Sequence, residues 1–112
     1  MVKIGIMGFG TVGSGVVEVI RKNAQSISRK TGRSIDIKYI LDLRDFRDSP
    51  ERHLLTKNAD DILNDDEISI VVEVMGGIEP AYTYTKRALM SGKHVVTPTR
   101  NWLRHTVRNF LP

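Results

Sequence analysis

Gly8-Phe9-Gly10-Thr11-Val12-Gly13 sets three glycines in the pattern G-x-G-x-x-G near the start of a 112-residue chain. The pattern follows a short apolar run, Val2 to Met7, opens a segment of helical periodicity and leads towards a second apolar run. In that context it reads as a turn that cradles the pyrophosphate of a dinucleotide. Gly8 permits the tight turn, Gly10 lets the backbone approach the pyrophosphate, and Gly13 lets the helix pack closely on the strand. The ligand's charge would rest on free backbone N–H groups at the positive end of the helix dipole. The competing reading is a glycine-rich turn that holds nothing.

The end of the second apolar run offers two more candidates, Asp42 and Arg44. An acid at this place binds the ribose 2′-hydroxyl of NAD, and an arginine accommodates the 2′-phosphate of NADP. Asp42 lies 29 residues after Gly13, further than the usual ~20, because the first helix is long. Arg44 is able to make a bidentate contact to phosphate. Both also read as solvated loop charges. The cofactor is therefore NADP or NAD, with Arg44 tilting the reading to NADP.

Other residues that look chemical fall into no working pattern. His53, His94 and His105 have no metal-ligand spacing, and no metal site is expected. Asp60, Asp61, Asp65, Asp66 and Glu67 read as helix-terminus and loop charges. Glu73, in a run that should be buried, needs a partner. Tyr82 and Tyr84 are expected on a helix, in surface or packing roles.

Positioning these groups requires alternating strands and helices. Val2 to Met7 suits a strand buried on both faces. Val12, Val16, Val19, Ile20, Asn23 and Ile27 recur at helical spacing up to Gly32. Ile35 to Leu41 makes a second strand, and Asp42 to Arg52 a long surface loop. His53 to Thr56 is a candidate edge strand, and Asn58 a candidate N-cap for a brief helix through Leu63. Ile68 to Met75 is a strand rich in β-branched residues, broken by Gly76-Gly77. Pro80 starts a helix that Gly92 ends, and His94 to Thr97 closes the series. Short connections between such elements call for an α/β fold: a Rossmann-like, doubly wound parallel sheet in strand order 3-2-1-4-5.

Composition bounds the function. Hydrophobic residues at 40% and charged residues at 27% describe a globular chain rather than a disordered one. With no cysteine, a disulfide scaffold, a zinc ribbon and a thiol nucleophile are excluded, and a cytoplasmic setting is expected. No apolar run approaches the ~20 residues of a membrane span, and the glycine-interrupted start does not read as a signal peptide. The pI of 9.6 does not point to nucleic acid. Arg100, Arg104 and Arg108 in residues 98–112 supply most of the net +4, and the other 14 basic side chains nearly balance 13 acids. A nucleic-acid protein spreads a basic face across its fold. Neither nucleic acid nor membrane is expected as a partner.

Three blocks carry a resemblance: Ile6 to Val17 around the glycine pattern, Val71-Val72-Glu73-Val74-Met75-Gly76-Gly77-Ile78-Glu79-Pro80-Ala81, and Ser91-Gly92-Lys93-His94-Val95-Val96-Thr97. Together they resemble homoserine dehydrogenase over residues 1–97, the Met-Gly-Gly-x-Glu-Pro block being the more specific. The resemblance implies a nucleotide-binding domain that is followed, in intact homo-oligomeric family members, by dimerisation and substrate regions. It implies reduction of aspartate semialdehyde to homoserine with a nicotinamide cofactor, on the way to threonine, methionine and isoleucine. It also implies that Phe9 to Val12 touch the pyrophosphate and that Arg44 meets the adenosine ribose or its phosphate. Gly76, Gly77 and Thr97 would then lie near the nicotinamide half.

After Thr97 the chain departs from the family, which continues with Asn-Lys-Glu-Leu and later His-Gly and Glu-Leu. Pairing the third base of each codon with the first two of the next permits all of these. Pro98 into Thr99 and Thr99 into Arg100 permit Asn and Lys. Arg100 into Asn101 and Asn101 into Trp102 permit Glu and Leu. His105 into Thr106, Thr106 into Val107, Arg108 into Asn109 and Asn109 into Phe110 permit the rest. The expectation is a single-base deletion near codon 98. Residues 1–97 would then be a partial NAD(P)-binding domain, and 98–112 an aberrant basic tail with Arg100 at the family's lysine position. Read instead by periodicity, Leu103, Val107, Phe110 and Leu111 share one face of an amphipathic helix. Arginine stays protonated and cannot relay a proton, so the chain has no candidate catalytic residue and is expected to be inactive alone. The rival readings are a stand-alone nucleotide-binding or sensing module, and a small protein whose basic tail meets RNA or membrane.

Overall fold

The computed structural model describes residues 1–97; the readings made for Arg100, His105 and the rest of 98–112 lie outside the described residues. Five strands form one sheet in the order β3-β2-β1-β4-β5, with every neighbouring pair parallel. They are β1 (Val2–Met7), β2 (Ile35–Leu41), β3 (Leu55–Thr56), β4 (Ile68–Glu73) and β5 (His94–Val96). The helices are α1 (Thr11–Thr31), α2 (Asp60–Leu63) and α3 (Ala81–Met90). The central strand β1 runs beside β2 from Val2↔Ile35 to Met7↔Leu41, and beside β4 from Lys3↔Ile68 to Met7↔Glu73. A strand with a neighbour on each side and helices over both faces cannot alternate polar and apolar residues. Ile4, Ile6 and Met7 are accordingly buried.

The sheet divides two cores. Met7, Leu41, Ile62, Leu63, Ile68, Val71 and Ala88 pack on the side of α2 and α3, with Tyr39 and Tyr84 against them. Ile4, Ile6, Phe9, Val17, Ile37, Ile40 and Val72 pack on the side of α1, joined by Val16, Ile20 and Phe46. The chain turns from one side of β1 to the other after β3, so the crevice outside the carboxyl ends of β1 and β4 is the topological switch point.

The helical face of α1 differs from the one the apolar spacing suggests. Val12 and Val19 are 56% and 60% exposed and Asn23 is also exposed, whereas Gly13 and Val17 are buried. The helix is turned so that Gly13, not Val12, meets the sheet, because only a residue without a side chain fits there. Ile20, Ala24 and Ile27 then continue the inward face, half-buried. The edge strand is shorter than His53 to Thr56: Arg52–Leu54 form a 3-10 turn and only Leu55 and Thr56 pair with β2. Asn58 acts one residue before the helix cap, its Oδ1 accepting the Asp60 N–H at 3.0 Å, and Ala59 is the N-cap. The strand expected to reach Met75 ends at Glu73.

Candidate functional site

The glycine pattern sits at the switch point. β1 ends at Met7, and Gly8 turns the chain at φ +108° with its N–H donated to Leu41 O at 2.7 Å. That backbone region favours glycine, and a Cβ on Gly8 would also press on the Val74 carbonyl at 3.1 Å. Gly13 brings α1 down onto this turn: a Cβ there would lie 2.0 Å from Gly8 O. Gly10 is the N-cap of α1, and no side chain among the described residues caps that end, nor does its first turn contain an acid. The helix's own bonds begin at Ser14 N–H, donated to Gly10 O at 2.9 Å. A 21-residue helix thus leaves the N–H groups of its first turn without partners inside the helix, at its positive end. Thr11 and Val12 stand exposed on that turn.

A cleft of about 350 Å³ opens beside this turn. Its lining comes from Gly8 and Gly10 of the glycine turn, Leu41 to Arg44 after β2, Val74 and Met75 after β4, and Pro80 and Tyr84 at α3. Tyr84, expected in a surface or packing role, packs on the core and also lines the cleft. A second cleft of about 340 Å³ shares Asp42 and Arg44 and gathers Arg47, Arg52 and Lys57, the last paired with Asp45 at 2.8 Å.

Asp42 and Arg44 form an ion pair at the junction. Asp42 Oδ1 accepts Arg44 N–H at 2.9 Å and Arg44 Nε–H at 3.0 Å; Oδ2 accepts Arg44 Nη2–H and Phe9 N–H, each at 2.9 Å. The Arg44 guanidinium, aided by the Arg44 and Phe9 backbone N–H groups, holds the Asp42 carboxyl at about 2, against an ordinary 3.8, although burial opposes it. Arg44 in turn is pushed up by the same partner. Its guanidinium lies 5.2 Å over the Phe46 ring, and Phe46 meets the Phe9 ring edge-on at 5.0 Å and 82°.

At the far end of β4, Gly76 and Gly77 are exposed at φ +78° and +73°. Glu73 is completely buried; its Oε1 accepts Met75 N–H at 2.8 Å and its Oε2 accepts Thr97 Oγ1–H at 2.8 Å. Glu73 therefore ties the turn after β4 to the end of β5, which brings Gly76, Gly77 and Thr97 to one rim of the sheet. The structure brings Gly8, Gly10, Asp42 and Arg44 together around one cleft, while Gly76, Gly77 and Thr97 lie outside its lining. Pro80 and Tyr84 read in the sequence as a helix start and as a surface or packing residue, not as cleft residues, and Phe46 is not singled out there. Only the Met-Gly-Gly-x-Glu-Pro block pointed towards Pro80. Among the described residues, no group of three or more His, Asp or Glu side chains is placed to hold a metal ion, and no helix is long and apolar enough to cross a membrane.

The sequence model of the family described as homoserine dehydrogenase, NAD binding domain, matches residues 8–108. The chain belongs to the homoserine dehydrogenase family. A homoserine dehydrogenase of Bacillus subtilis is 38% identical over 104 residues, covering 89% of this chain and 24% of that protein. One of Lactococcus lactis is 40% identical over 108 residues, covering 91% and 25%. Among solved structures, an S. aureus homoserine dehydrogenase at pH 7.0 superposes with a TM-score of 0.85 at 38% identity, over 96% of this chain and 29% of that one. The Thiobacillus denitrificans enzyme gives 0.77 at 38% identity, over 97% and 25%. The chain spans about a quarter of the length of the curated relatives it matches. The fold these matches share is the five-stranded Rossmann-like sheet, in the order expected from the sequence.

Proposed function

We propose that this homoserine dehydrogenase domain binds a nicotinamide dinucleotide, NADP in preference to NAD, for the interconversion of aspartate semialdehyde and homoserine. The observation that carries the reading is the uncapped N-terminus of a long helix behind the Gly8 turn, opening on a cleft at the switch point. The fit is steric as well as electrostatic: among the described residues a Cβ on Gly10 would meet only Arg44 Nη2, at 3.5 Å, so backbone is open to a ligand there. Gly10, Thr11 and Val12 would offer the pyrophosphate their N–H groups, Phe9, whose own N–H is held by Asp42, would only touch it, and Gly8 and Gly13 would shape the turn. Asp42 and Arg44 would serve the adenosine end, and Gly76, Gly77 and Thr97 the nicotinamide end. The bound cofactor supplies or accepts the hydride; the residues described here hold and orient it. The wider reading places the protein in the cytoplasm, in the route to threonine, methionine and isoleucine. Its partner is the cofactor, not nucleic acid or membrane, and the intact enzyme is a homo-oligomer.

Residues 1–97 form the cofactor-binding unit in this reading, and 98–112 a segment read in a shifted frame. Arg100 stands where the family has its lysine, and an arginine cannot relay a proton. That residue favours a second reading for the 112-residue chain itself, binding without turnover. Coding DNA that lacks Asn-Lys-Glu-Leu in the frame shifted by one base would overturn the frameshift. Calorimetry tests the binding. The chain should bind NADPH and NADH at a single site, and Gly10→Ala should weaken both, because its Cβ enters the space left for the pyrophosphate. Equal affinities for wild type and variant would remove the glycine turn from the site.

A further inference from the structure

The Asp42 carboxylate is spent. Its two oxygens offer about four lone-pair positions, and Phe9 N–H, Arg44 N–H, Arg44 Nε–H and Arg44 Nη2–H occupy them. A ribose hydroxyl arriving at this acid would have to displace a backbone N–H or break a charged pair, and charge-assisted bonds are the strong ones. The contacts also close a ring. Phe9 N–H bonds Asp42, Asp42 holds the inner edge of Arg44, Arg44 lies over Phe46, and Phe46 packs edge-on against Phe9. The ring joins the glycine turn to the loop after β2. The Arg44 side chain is 65% exposed and that of Asp42 10%. Both residues line the clefts, but the cation is open to solvent there while its anchor is mostly covered.

We propose that Asp42 is a positioning residue rather than a ribose ligand: it fixes the Arg44 guanidinium beside the glycine turn, outer edge free, to select a 2′-phosphate. The proposal rests on the dinucleotide reading of the turn. A side-on pair through Nε and Nη2 leaves the Nη1 hydrogens free for a phosphate oxygen, so the anchor and the ligand use different edges of one planar group. Without the anchor, a long and exposed side chain must be ordered by the ligand itself, which weakens binding. NADH carries no group for Arg44 and is indifferent to its orientation.

The test measures NADPH and NADH affinities by calorimetry on the 112-residue chain. The variants are Asp42→Asn, Arg44→Ala, their combination, and Arg44→Lys. Asn keeps an oxygen for the Phe9 N–H but cannot pair with a guanidinium. Asp42→Asn should lower NADPH affinity about ten-fold and change NADH affinity by less than about two-fold. Arg44→Lys, at an exposed position and lacking an Nε–H at the guanidinium edge, should behave like Asp42→Asn. Adding Asp42→Asn to Arg44→Ala should lower NADPH affinity no further. A ten-fold loss for NADH in Asp42→Asn would make the acid a ribose ligand and overturn the proposal. So would additive losses in the double variant. The anchor itself is read without cofactor, from slow solvent exchange of the Arg44 Nε–H proton in NMR spectra. The signal should be protected in the wild type and lost in Asp42→Asn, and an unprotected wild-type signal overturns the proposal alone. A wild-type chain that binds neither cofactor overturns the dinucleotide reading, and this proposal with it.

Discussion

Gly13→Ala places a Cβ 2.0 Å from Gly8 O and 2.8 Å from Gly8 C, with Val74 Cγ2 at 3.3 Å. The two nearest atoms are backbone, in a turn held by the Gly8 N–H to Leu41 O bond, so no side chain can swing aside to relieve the clash. Either α1 lifts off the sheet, loosening Val17 and Ile20 from Ile4, Ile6 and Val72, or the turn distorts. Overpacked cores cost roughly 1–3 kcal/mol, and a clash against fixed backbone belongs at the upper end, about 3 kcal/mol. For a domain of this size each kcal/mol moves the melting temperature by roughly 4–8 °C, so the variant should melt about 12–24 °C below the wild type. Gly15→Ala in the same helix is the control, because a Cβ there meets nothing within 4 Å among the described residues outside the local helix backbone. It should gain roughly 0.5–1 kcal/mol, the helix preference of alanine over glycine. Thermal and urea unfolding without cofactor measure both. A Gly13→Ala unfolding free energy within about 0.5 kcal/mol of the wild type would refute the close docking of α1 on the Gly8 turn.

Glu73→Ala leaves the Met75 N–H and the Thr97 hydroxyl without the carboxylate that accepts them. It should cost about 2–3 kcal/mol in urea unfolding, and a neutral variant would show that the rim does not depend on this acid. Lys93, 7% exposed, donates from Nζ to Asp65 O at 2.6 Å and Ile68 O at 2.8 Å. Lys93→Met should cost about 2–3 kcal/mol, the lost charged bonds being partly offset by relief of burial. Acid should remove the contribution of Asp42. Its folded carboxyl lies at about 2, below the ordinary 3.8, so its stabilisation is complete above 3.8 and lost as pH falls through 2. The urea midpoints of wild type and Asp42→Asn should converge over that window, and a constant difference would contradict the cause assigned to the shift.

Much of the scaffold was legible because local chemistry and tertiary demand agreed. Val2 to Met7 and Ile68 to Glu73 are apolar runs bounded by turn residues, and a strand with partners on both edges needs that pattern. Gly32 and Gly92 end their helices at φ +71° and +83°, as helix-stop glycines should. The face of α1 was not legible. Val12 and Val19 match an apolar stripe, but the closeness of Gly13 to Gly8 O sets the rotation of the helix, and that is a tertiary constraint. At the site, the glycine pattern announced its own turn. Asp42 and Arg44 were visible as types, whereas their bidentate pairing and its closure through Phe46 and Phe9 depend on side-chain geometry that spacing does not encode. Tyr84 reads in the sequence as a surface or packing residue, and it packs on the core while partly exposed. Its place in the cleft wall follows from α3 lying beside the switch point.

The central claim is that the glycine turn and the loop after β2 hold one dinucleotide, and chemical-shift mapping on the 15N-labelled chain tests it most directly. NADPH should move the amide signals of Gly8 to Gly13, of Asp42 to Phe46 and of Gly76 and Gly77 along a single saturation curve. NADH should move the same groups, the second less than NADPH does because it brings no 2′-phosphate to Arg44. Shifts confined elsewhere, or none at saturating cofactor, would contradict the account.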